Sequence, residues 1–286
     1  MTSAIAMLRT CSAVALCWLA LGPSAAPAEP AQRIVSLTPH LTELAFSAGA
    51  GGRLVGVVEY SDHPAQARRI ARIGDAFRID LERVAALRPD IVLAWESGTA
   101  APTIERLESL GLSVLSIRTQ RLADVADAIR TIGDIAGTQA QAAAAAADYE
   151  ARIGDLRARY AGRRQLRVFV QVNDRPIYTV NDAQIISEIV ALCGGRNVFA
   201  DLDQLAPVVS VEAVIAANPE AILVTDVARG AEQSWLRWKS IAAVRAQNVY
   251  VIPADDVARP TIRLADGVAH VCRTLDTARA RLAAGR

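Results

Sequence analysis

The sequence predicts an α/β protein of two similar lobes joined by a single long, rigid α-helix. One observation is a phrase of thirteen residues that occurs twice without a gap, at 81–93 and at 211–223. A second is that apolar strand and helix patterns alternate on both sides of the middle of the chain, which is typical of mainly parallel sheets with covered faces. The third is a strongly helix-forming segment at 137–160, between the two halves.

Each copy of the repeated phrase is predicted to be a short helix followed by a buried strand. Asp80 or Ser210 caps the helix, and Glu82 or Glu212 lies in its first turn, where the helix dipole favours an anion. A proline then ends the helix before an apolar run. Solenoid repeats have periods of about 20–50 residues, so this longer spacing favours two lobes. Coincidence between two ordinary helix–strand units is the alternative.

The other elements follow from apolar periodicity and turn residues, and they make each lobe Rossmann-like. Besides the repeat, we expect strands at 33–38, 54–60, 113–117, 166–172, 177–180 and 248–253. We expect helices at 42–50, 102–110, 122–135, 185–193 and 260–282. These elements predict an N-terminal lobe at 33–136, a connecting helix at 137–161 and a C-terminal lobe at 165–286.

The connecting helix is the most helix-prone part of the chain. It contains six consecutive alanines, followed by apolar residues at helical spacing: Tyr149, Ile153, Leu156 and Tyr160. About 22 helical residues would span about 33 Å, the width of a small domain. A flexible linker would instead be rich in Gly and Ser. We expect a rigid strut between lobes, with an ordinary surface helix of one domain as the alternative.

The charge of the chain is nearly balanced. The 31 Lys and Arg residues nearly equal the 30 acidic residues in number, which argues against a nucleic-acid partner.

The N-terminal segment indicates an exported protein. Arg9 precedes an apolar core at 11–21 that is too short to span a membrane, and small residues follow. We expect residues 1–28 to be a signal peptide, cleaved after Ala26 or Ala28, and the mature protein to be periplasmic.

Two cysteines, Cys193 and Cys272, remain after removal of the predicted signal peptide. An even number in an oxidising compartment favours a disulfide. Two buried thiols are the alternative.

Sequence motifs give no support to catalysis or metal binding. The chain lacks a Gly-x-Ser-x-Gly elbow, a His-Glu-x-x-His helix, a Walker loop and a Gly-x-Gly-x-x-Gly turn. Its three histidines, His40, His63 and His270, have no paired spacing suited to a metal. We therefore expect no catalytic residue, no metal site and no catalytic cofactor.

Aromatic and charged residues follow several predicted strands, at the ends where open α/β sheets bind ligands. They include Tyr60, Trp95, Tyr178 and the segment 254–260 with Arg259. Tyrosine and tryptophan offer flat apolar area with a polar group, which suits a large planar ligand between lobes. Core packing is the alternative for Trp95, and a helix N-terminal salt bridge with Asp255 is the alternative for Arg259.

These residues, taken together, resemble a known family across essentially the whole mature chain. The resemblance is carried by residues 33–39, 42–46, 60–62, 81–95, 193–199 and 259–272. They are similar to the periplasmic cobalamin-binding proteins of vitamin B12 ABC importers, which belong to the helical-backbone family of metal-chelate-binding proteins. No single motif carries the match.

The resemblance implies a class III periplasmic binding protein that is monomeric and carries cobalamin, or a related corrinoid, in the cleft between its lobes. Tyr60 and the loop from Asp255 to Arg259, which includes Asp256, Val257 and Ala258, match ligand-contacting positions. Cys193 and Cys272 match a disulfide pair. Glu82 and Glu212 match two glutamates, one on each lobe, that dock onto arginines of the permease dimer; an exposed first-turn glutamate can reach a guanidinium.

The chain departs from the family pattern at three aromatic positions. Relatives place aromatic residues where this sequence has Ala76, Ala206 and Val257. Phe77, Trp95 and Tyr178 are candidates to compensate as ligand contacts. Relatives with this fold also carry haem or ferric siderophores, which are the alternative ligands. A periplasmic enzyme on the same scaffold is the alternative from another functional class, although the sequence offers no nucleophile–base pair.

Overall fold

Two parallel four-stranded sheets organise the computed structural model, which describes residues 29–75, 78–228 and 230–285. The first sheet contains Ile34–Ser36 (β1), Leu54–Val57 (β2), Ile91–Trp95 (β3) and Val114–Ile117 (β4). The second contains Leu166–Gln171 (β5), Gly195–Asn197 (β6), Ala221–Thr225 (β7) and Val249–Ile252 (β8). The strand orders are β2-β1-β3-β4 and β6-β5-β7-β8, so the two lobes share one topology.

Helices connect these strands within and between the lobes. Those of the N-terminal lobe are Pro39–Ser47 (α1), Leu81–Ala86 (α2), Ala101–Ser109 (α3) and Leu122–Ala136 (α4), and the connecting helix is Gln139–Tyr160 (α5). Those of the C-terminal lobe are Ile185–Leu192 (α6), Val211–Ala217 (α7), Ala231–Trp235 (α8), Ala242–Arg245 (α9), Ala254–Ala258 (α10) and Leu264–Ala284 (α11). The predicted signal peptide at 1–28 and Phe77 lie outside the described residues.

The repeated phrase occupies equivalent positions in the two lobes, as α2–β3 and as α7–β7. Its caps form as predicted: Asp80 accepts the N–H of Arg83 at 3.0 Å, and Ser210 accepts that of Ala213 at 3.2 Å. The residue before each proline has a positive φ, which ends the helix.

The acid after each proline fastens the third strand of a lobe to its first. Asp90 accepts the backbone N–H of Arg33 at 2.8 Å, and Glu220 accepts that of Arg167 at 3.0 Å. Arg33 and Arg167 also donate from their side chains to carbonyls near the ends of α2 and α7. Equivalent contacts in both lobes favour a real internal similarity over coincidence.

Helix α5 packs against both lobes along its length. It has 22 residues and therefore spans about 33 Å. It lies against α1 and α4 of the N-terminal lobe and against α6 and α11 of the C-terminal lobe, and one continuous apolar cluster includes residues from all three parts. At Gly133 of α4 a Cβ atom would lie 2.2 Å from that of Ala142, so glycine permits the close approach of α4 to α5. The lobes thus share a core through the helix.

Two local predictions differ from the structure, and one strand was not predicted. Residues 177–180 form no strand, because Tyr178 pairs only through isolated bridges to Asn173 and Val208. The closing helix begins at Leu264 rather than at residue 260, because Pro260 keeps Arg259 extended and separates α11 from the short helix α10. Strand β6 was not predicted, since Gly-Arg-Asn has little β propensity and pairs only in the context of β5.

The predicted disulfide is confirmed. Cys193, at the end of α6, is bonded to Cys272 of α11 with a sulfur–sulfur distance of 1.97 Å. Both residues are fully buried, so the bridge ties the closing helix to the interior of the C-terminal lobe.

Candidate ligand-binding cleft

A cavity of about 180 Å³ lies between the two lobes. The N-terminal lobe contributes Trp95 and Ser97 after β3, and Thr119 and Gln120 after β4. The C-terminal lobe contributes small and apolar residues from three loops: Ala183, Ile185, Leu205, Ala206, Ala258 and Pro260, together with Gln184. Ligand pockets typically measure about 300–1,000 Å³, so a large ligand would also cover the open rim of this cleft.

Trp95 is half-buried and forms part of the N-terminal wall. Its ring meets that of His40 edge to face, with centroids 5.1 Å apart. Its Nε1 atom is buried and has no hydrogen-bond partner among the described residues. One part of the Trp95 ring therefore packs inward, and another part faces the cleft.

His40 lies behind this wall at the start of α1 and is only 6% exposed. Its Nε2 atom is 3.4 Å from the hydroxyl of Thr119. Burial, with a smaller contribution from the positive charge of Arg259, lowers the pKa of His40 to about 3. The imidazole is therefore neutral in the folded protein at neutral pH.

The low pKa of His40 predicts a loss of stability in acid. The unfolded chain protonates this histidine near pH 6.5, whereas the folded chain does so near pH 3. The contribution to the free energy of unfolding should therefore be fully present above pH 6.5 and decrease as the pH falls toward 3. Urea unfolding at several pH values should show this slope in the wild type and a flatter one in His40→Gln. His63→Gln, which changes an exposed histidine, is the control, and an unchanged slope in His40→Gln would contradict the assignment.

Tyr60 projects from the end of β2 with 74% of its surface exposed. Its φ angle of 64° places a non-glycine residue in the left-handed region, at an energetic cost of about 1–2 kcal/mol. The next residue, Ser61, is buried and receives a hydrogen bond from Thr42 of α1 at 3.2 Å. The packed neighbour holds the loop in place, and Tyr60 presents its ring to solvent. Unusual backbone of this kind is common at ligand sites.

Arg259 lies at the mouth of the cleft and contacts acidic groups of both lobes. Its guanidinium is 2.8 Å from Asp255 of its own lobe, so the salt bridge considered as the alternative role is present. The same group is 3.5 Å from Asp62 and 3.7 Å from Glu43, both in the N-terminal lobe. Because Asp62 follows Tyr60 by two residues, these contacts bring Tyr60 and Arg259 to the same rim.

Two glutamates, the buried Glu43 and the half-buried Glu188, connect the lobes to one another. Glu43 of α1 is 4% exposed and accepts two hydrogen bonds from Arg263, at 2.9 and 2.7 Å. Glu188 of α6 accepts the N–H of Leu122 at 2.8 Å and pairs with Arg121 at 3.1 Å, both at the start of α4. These two sets of hydrogen bonds and ion pairs, the cross-lobe fastenings, lie on different helices of each lobe. They therefore fix the relative orientation of the lobes at separate points.

Of the other residues predicted to contact the ligand, some line the cleft and others lie away from it. Ala258 lines the cleft, whereas Asp256 lies 3.1 Å from His270 of α11. Val257 is 2% exposed and packs in the apolar core, so its side chain does not reach the cleft and is not a ligand contact as predicted. Tyr178 is half-buried beside Val208 and does not line the cavity.

Several residues of the cleft were not predicted from the sequence. Thr119 and Gln120 follow β4 directly, so the rule that ligands bind beyond the carboxyl ends of strands could have found them. Leu205 lies in a loop without a local signal, and the sequence pointed to its neighbour Ala206 only as a position where relatives have an aromatic residue. His40, Glu43 and Arg263 are distant in sequence and become neighbours of the cleft only in the folded chain.

Glu82 and Glu212 are exposed at equivalent positions, in the first turns of α2 and α7. The backbone N–H of Glu212 and the hydroxyl of Ser210 lower the pKa of the Glu212 carboxyl, so that it remains ionised. At this equivalent position each lobe thus presents a carboxylate to solvent.

Residues 34–255 match the sequence profile of a family described as periplasmic binding protein. The chain belongs to the periplasmic binding protein family. Other members include the vitamin B12-binding proteins of Vibrio cholerae, 36% identical over 250 residues, and of Vibrio parahaemolyticus, 34% identical over 250 residues; each alignment covers 87% of this chain and 91% of the relative.

The crystal structure of the periplasmic vitamin B12-binding protein of Vibrio cholerae is similar to this periplasmic binding protein with a TM-score of 0.82 and 36% identity, over 87% of this chain and 98% of the other. This similarity confirms the predicted fold class. A periplasmic haem-binding protein, BhuT, is similar in fold with a TM-score of 0.77 at 22% identity, over 86% of this chain and 98% of the other.

Within the described ranges, no group of three or more His, Cys, Asp or Glu residues is arranged to hold a metal ion. None of the helices in the same ranges has the length and apolar character needed to cross a membrane.

Proposed function

We propose that this periplasmic binding protein captures cobalamin or a related corrinoid in the inter-lobe cleft and delivers it to the permease of an ABC importer. The observation that carries the proposal is similarity over 87% of the chain to proteins that bind vitamin B12, in sequence and in structure. The protein acts as a monomer, and the ligand is cargo rather than a catalytic cofactor.

The chemistry of the cleft supports a corrinoid over the alternative ligands. Trp95 and Tyr60 offer aromatic surface to a flat macrocycle, and hydroxyl and amide side chains such as Ser97 and Gln120 suit its peripheral amides. The carboxylates of Glu43, Asp62 and Asp255 already neutralise the guanidinium of Arg259. A haem or an anionic siderophore would bring further negative charge close to these three carboxylates.

Isothermal titration calorimetry of the mature protein tests the ligand directly. Cyanocobalamin and cobinamide should bind, and haem and a ferric siderophore should bind at least about tenfold more weakly, a difference of about 1.4 kcal/mol. Tighter binding of haem or of the siderophore, with no binding of either corrinoid, would replace the proposal by the alternative.

An enzymatic function has little support from the cleft. The relatives named above are binding proteins. The nearest approach to a nucleophile–base pair is Thr119 with His40, but these residues are only 2% and 6% exposed. We therefore assign no bond-making or bond-breaking step.

Glu82 and Glu212 are the proposed contacts with the permease. Reversing either charge, in Glu82→Arg or Glu212→Arg, should weaken docking about tenfold or more because each carboxylate would pair with a permease guanidinium. Cyanocobalamin affinity should stay within about twofold, since both groups lie outside the cleft. Biolayer interferometry on a corrinoid importer in lipid nanodiscs measures docking, with Glu108→Arg on the exposed side of α3 as the charge-matched control. Normal docking of both variants would remove the assignment.

A further inference from the structure

A second cavity, of about 230 Å³, lies on the C-terminal lobe outside the cleft. Its lining combines Trp235, Trp238, Ile177 and Val211 with five polar or charged residues, among them Ser234 and Arg237. We call it the tryptophan pocket. A cavity of about 150 Å³ can hold a benzene molecule, so this pocket can hold one large side chain.

The floor of the tryptophan pocket is rigid. Trp235 is 3% exposed, and its Nε1–H donates to Oε1 of Gln171 at 2.6 Å. The ring also meets that of Phe169 edge to face, with centroids 5.5 Å apart. Because these groups are already fixed, an incoming side chain would order little of the pocket on binding.

The rim of the tryptophan pocket carries cationic groups. The guanidinium of Arg237 lies over the ring of Trp238, 5.2 Å from its centroid, and Arg237 is exposed. Arg175, whose side chain is 94% exposed, lies 3.3 Å from Asp174. Tryptophan and arginine are the residue types that most often dominate binding energy at protein interfaces. An apolar group beside a carboxylate is the chemistry that complements this rim.

The tryptophan pocket adjoins the proposed docking glutamate of the same lobe. Val211, which lines the pocket, directly precedes Glu212 at the start of α7. Ile177, on the same lining, accepts the N–H of Val209 at 3.0 Å. The pocket and the Glu212 carboxylate can therefore meet one continuous partner surface.

We propose that the tryptophan pocket belongs to the docking surface for the importer permease and receives one apolar side chain of a permease loop, while a neighbouring carboxylate of that loop pairs with Arg237. The proposal rests on the proposed function, because it extends the contact made by Glu212. It adds a second kind of contact: Glu212 offers negative charge to the permease, whereas the pocket offers tryptophan rings beside an exposed arginine, Arg237.

Two variants test the pocket without altering its buried floor. Ser234→Phe, at an exposed position of α8, places a ring in the cavity, and Arg237→Glu reverses the charge of the rim. Each should weaken docking to a corrinoid importer in lipid nanodiscs about tenfold, as expected for the loss of one interface anchor. Lys239→Glu, which reverses an exposed charge outside the lining, should change docking less than about twofold. Circular dichroism and calorimetry with cyanocobalamin should show folded variants with wild-type ligand affinity.

The outcomes separate this proposal from the function on which it rests. Normal docking of Ser234→Phe and Arg237→Glu, with impaired docking of Glu212→Arg, would overturn the pocket and leave the docking role of the glutamate intact. Normal docking of all three would instead reject the proposed docking face. Self-association of the wild-type chain that Ser234→Phe abolishes would assign the pocket to a second copy and also overturn the proposal.

Discussion

Alanine substitution of both Tyr60 and Arg259 is expected to weaken the binding of cyanocobalamin about a hundredfold. The double variant loses an exposed aromatic ring and a guanidinium at the mouth of the cleft. Contacts of these kinds contribute about 1–2 kcal/mol each, and a hundredfold change corresponds to about 2.7 kcal/mol. Titration calorimetry of the mature protein measures the change.

Conservative variants separate the direct contacts from effects on the fold. Tyr60→Phe keeps the ring and should retain most of the affinity, and Arg259→Lys keeps a positive charge beside Asp62 and Glu43. Arg106→Ala, on α3, removes an exposed arginine far from the cleft and should bind like the wild type. If the double variant also bound cyanocobalamin like the wild type, the ligand site would lie elsewhere.

Removal of the disulfide, in Cys193→Ala with Cys272→Ala, is expected to lower the free energy of unfolding by about 4 kcal/mol. The bridge closes a loop across a sequence separation of 79 residues, and restricting so long a loop in the unfolded chain gives this magnitude. For a protein of this size the corresponding fall in melting temperature is about 8–16 °C. Thermal unfolding followed by circular dichroism measures it.

Reductant provides the matched control for the disulfide. Wild-type protein unfolded in the presence of a thiol reductant should show the same lower stability, whereas the double alanine variant should be insensitive to it. Equal melting temperatures for the oxidised wild type and the variant would mean that the apolar packing of α6 and α11 holds the lobe together without the bridge.

The sequence was most informative where a pattern is local. The capped helices of the repeat, their terminal prolines and the strands after them depend on neighbouring residues, and β3 and β7 lie where the repeat places them. The long helix α5 follows from its alanines and from apolar residues on one face. The disulfide followed from cysteine count and compartment, supported by the resemblance to a known family.

What the sequence did not predict depends on tertiary contacts. Strand β6 has no β propensity of its own and exists because β5 offers it a partner. Val257 lies in the segment predicted to contact the ligand, but a single turn of helix, α10, directs its side chain into the core. The contacts of Glu43 with Arg263 and Arg259 join residues more than 200 positions apart, which no periodicity reveals.

The two cross-lobe fastenings have a kinetic consequence. Opening the cleft widely requires that Glu43 separate from Arg263 or that Glu188 separate from the start of α4, and the first step leaves a buried carboxylate without its partner. A ligand enclosed by both lobes could then leave only as fast as the lobes part. Every 1.4 kcal/mol in that barrier lengthens its residence time about tenfold. Lobes connected in this way would retain such a ligand in dilute surroundings.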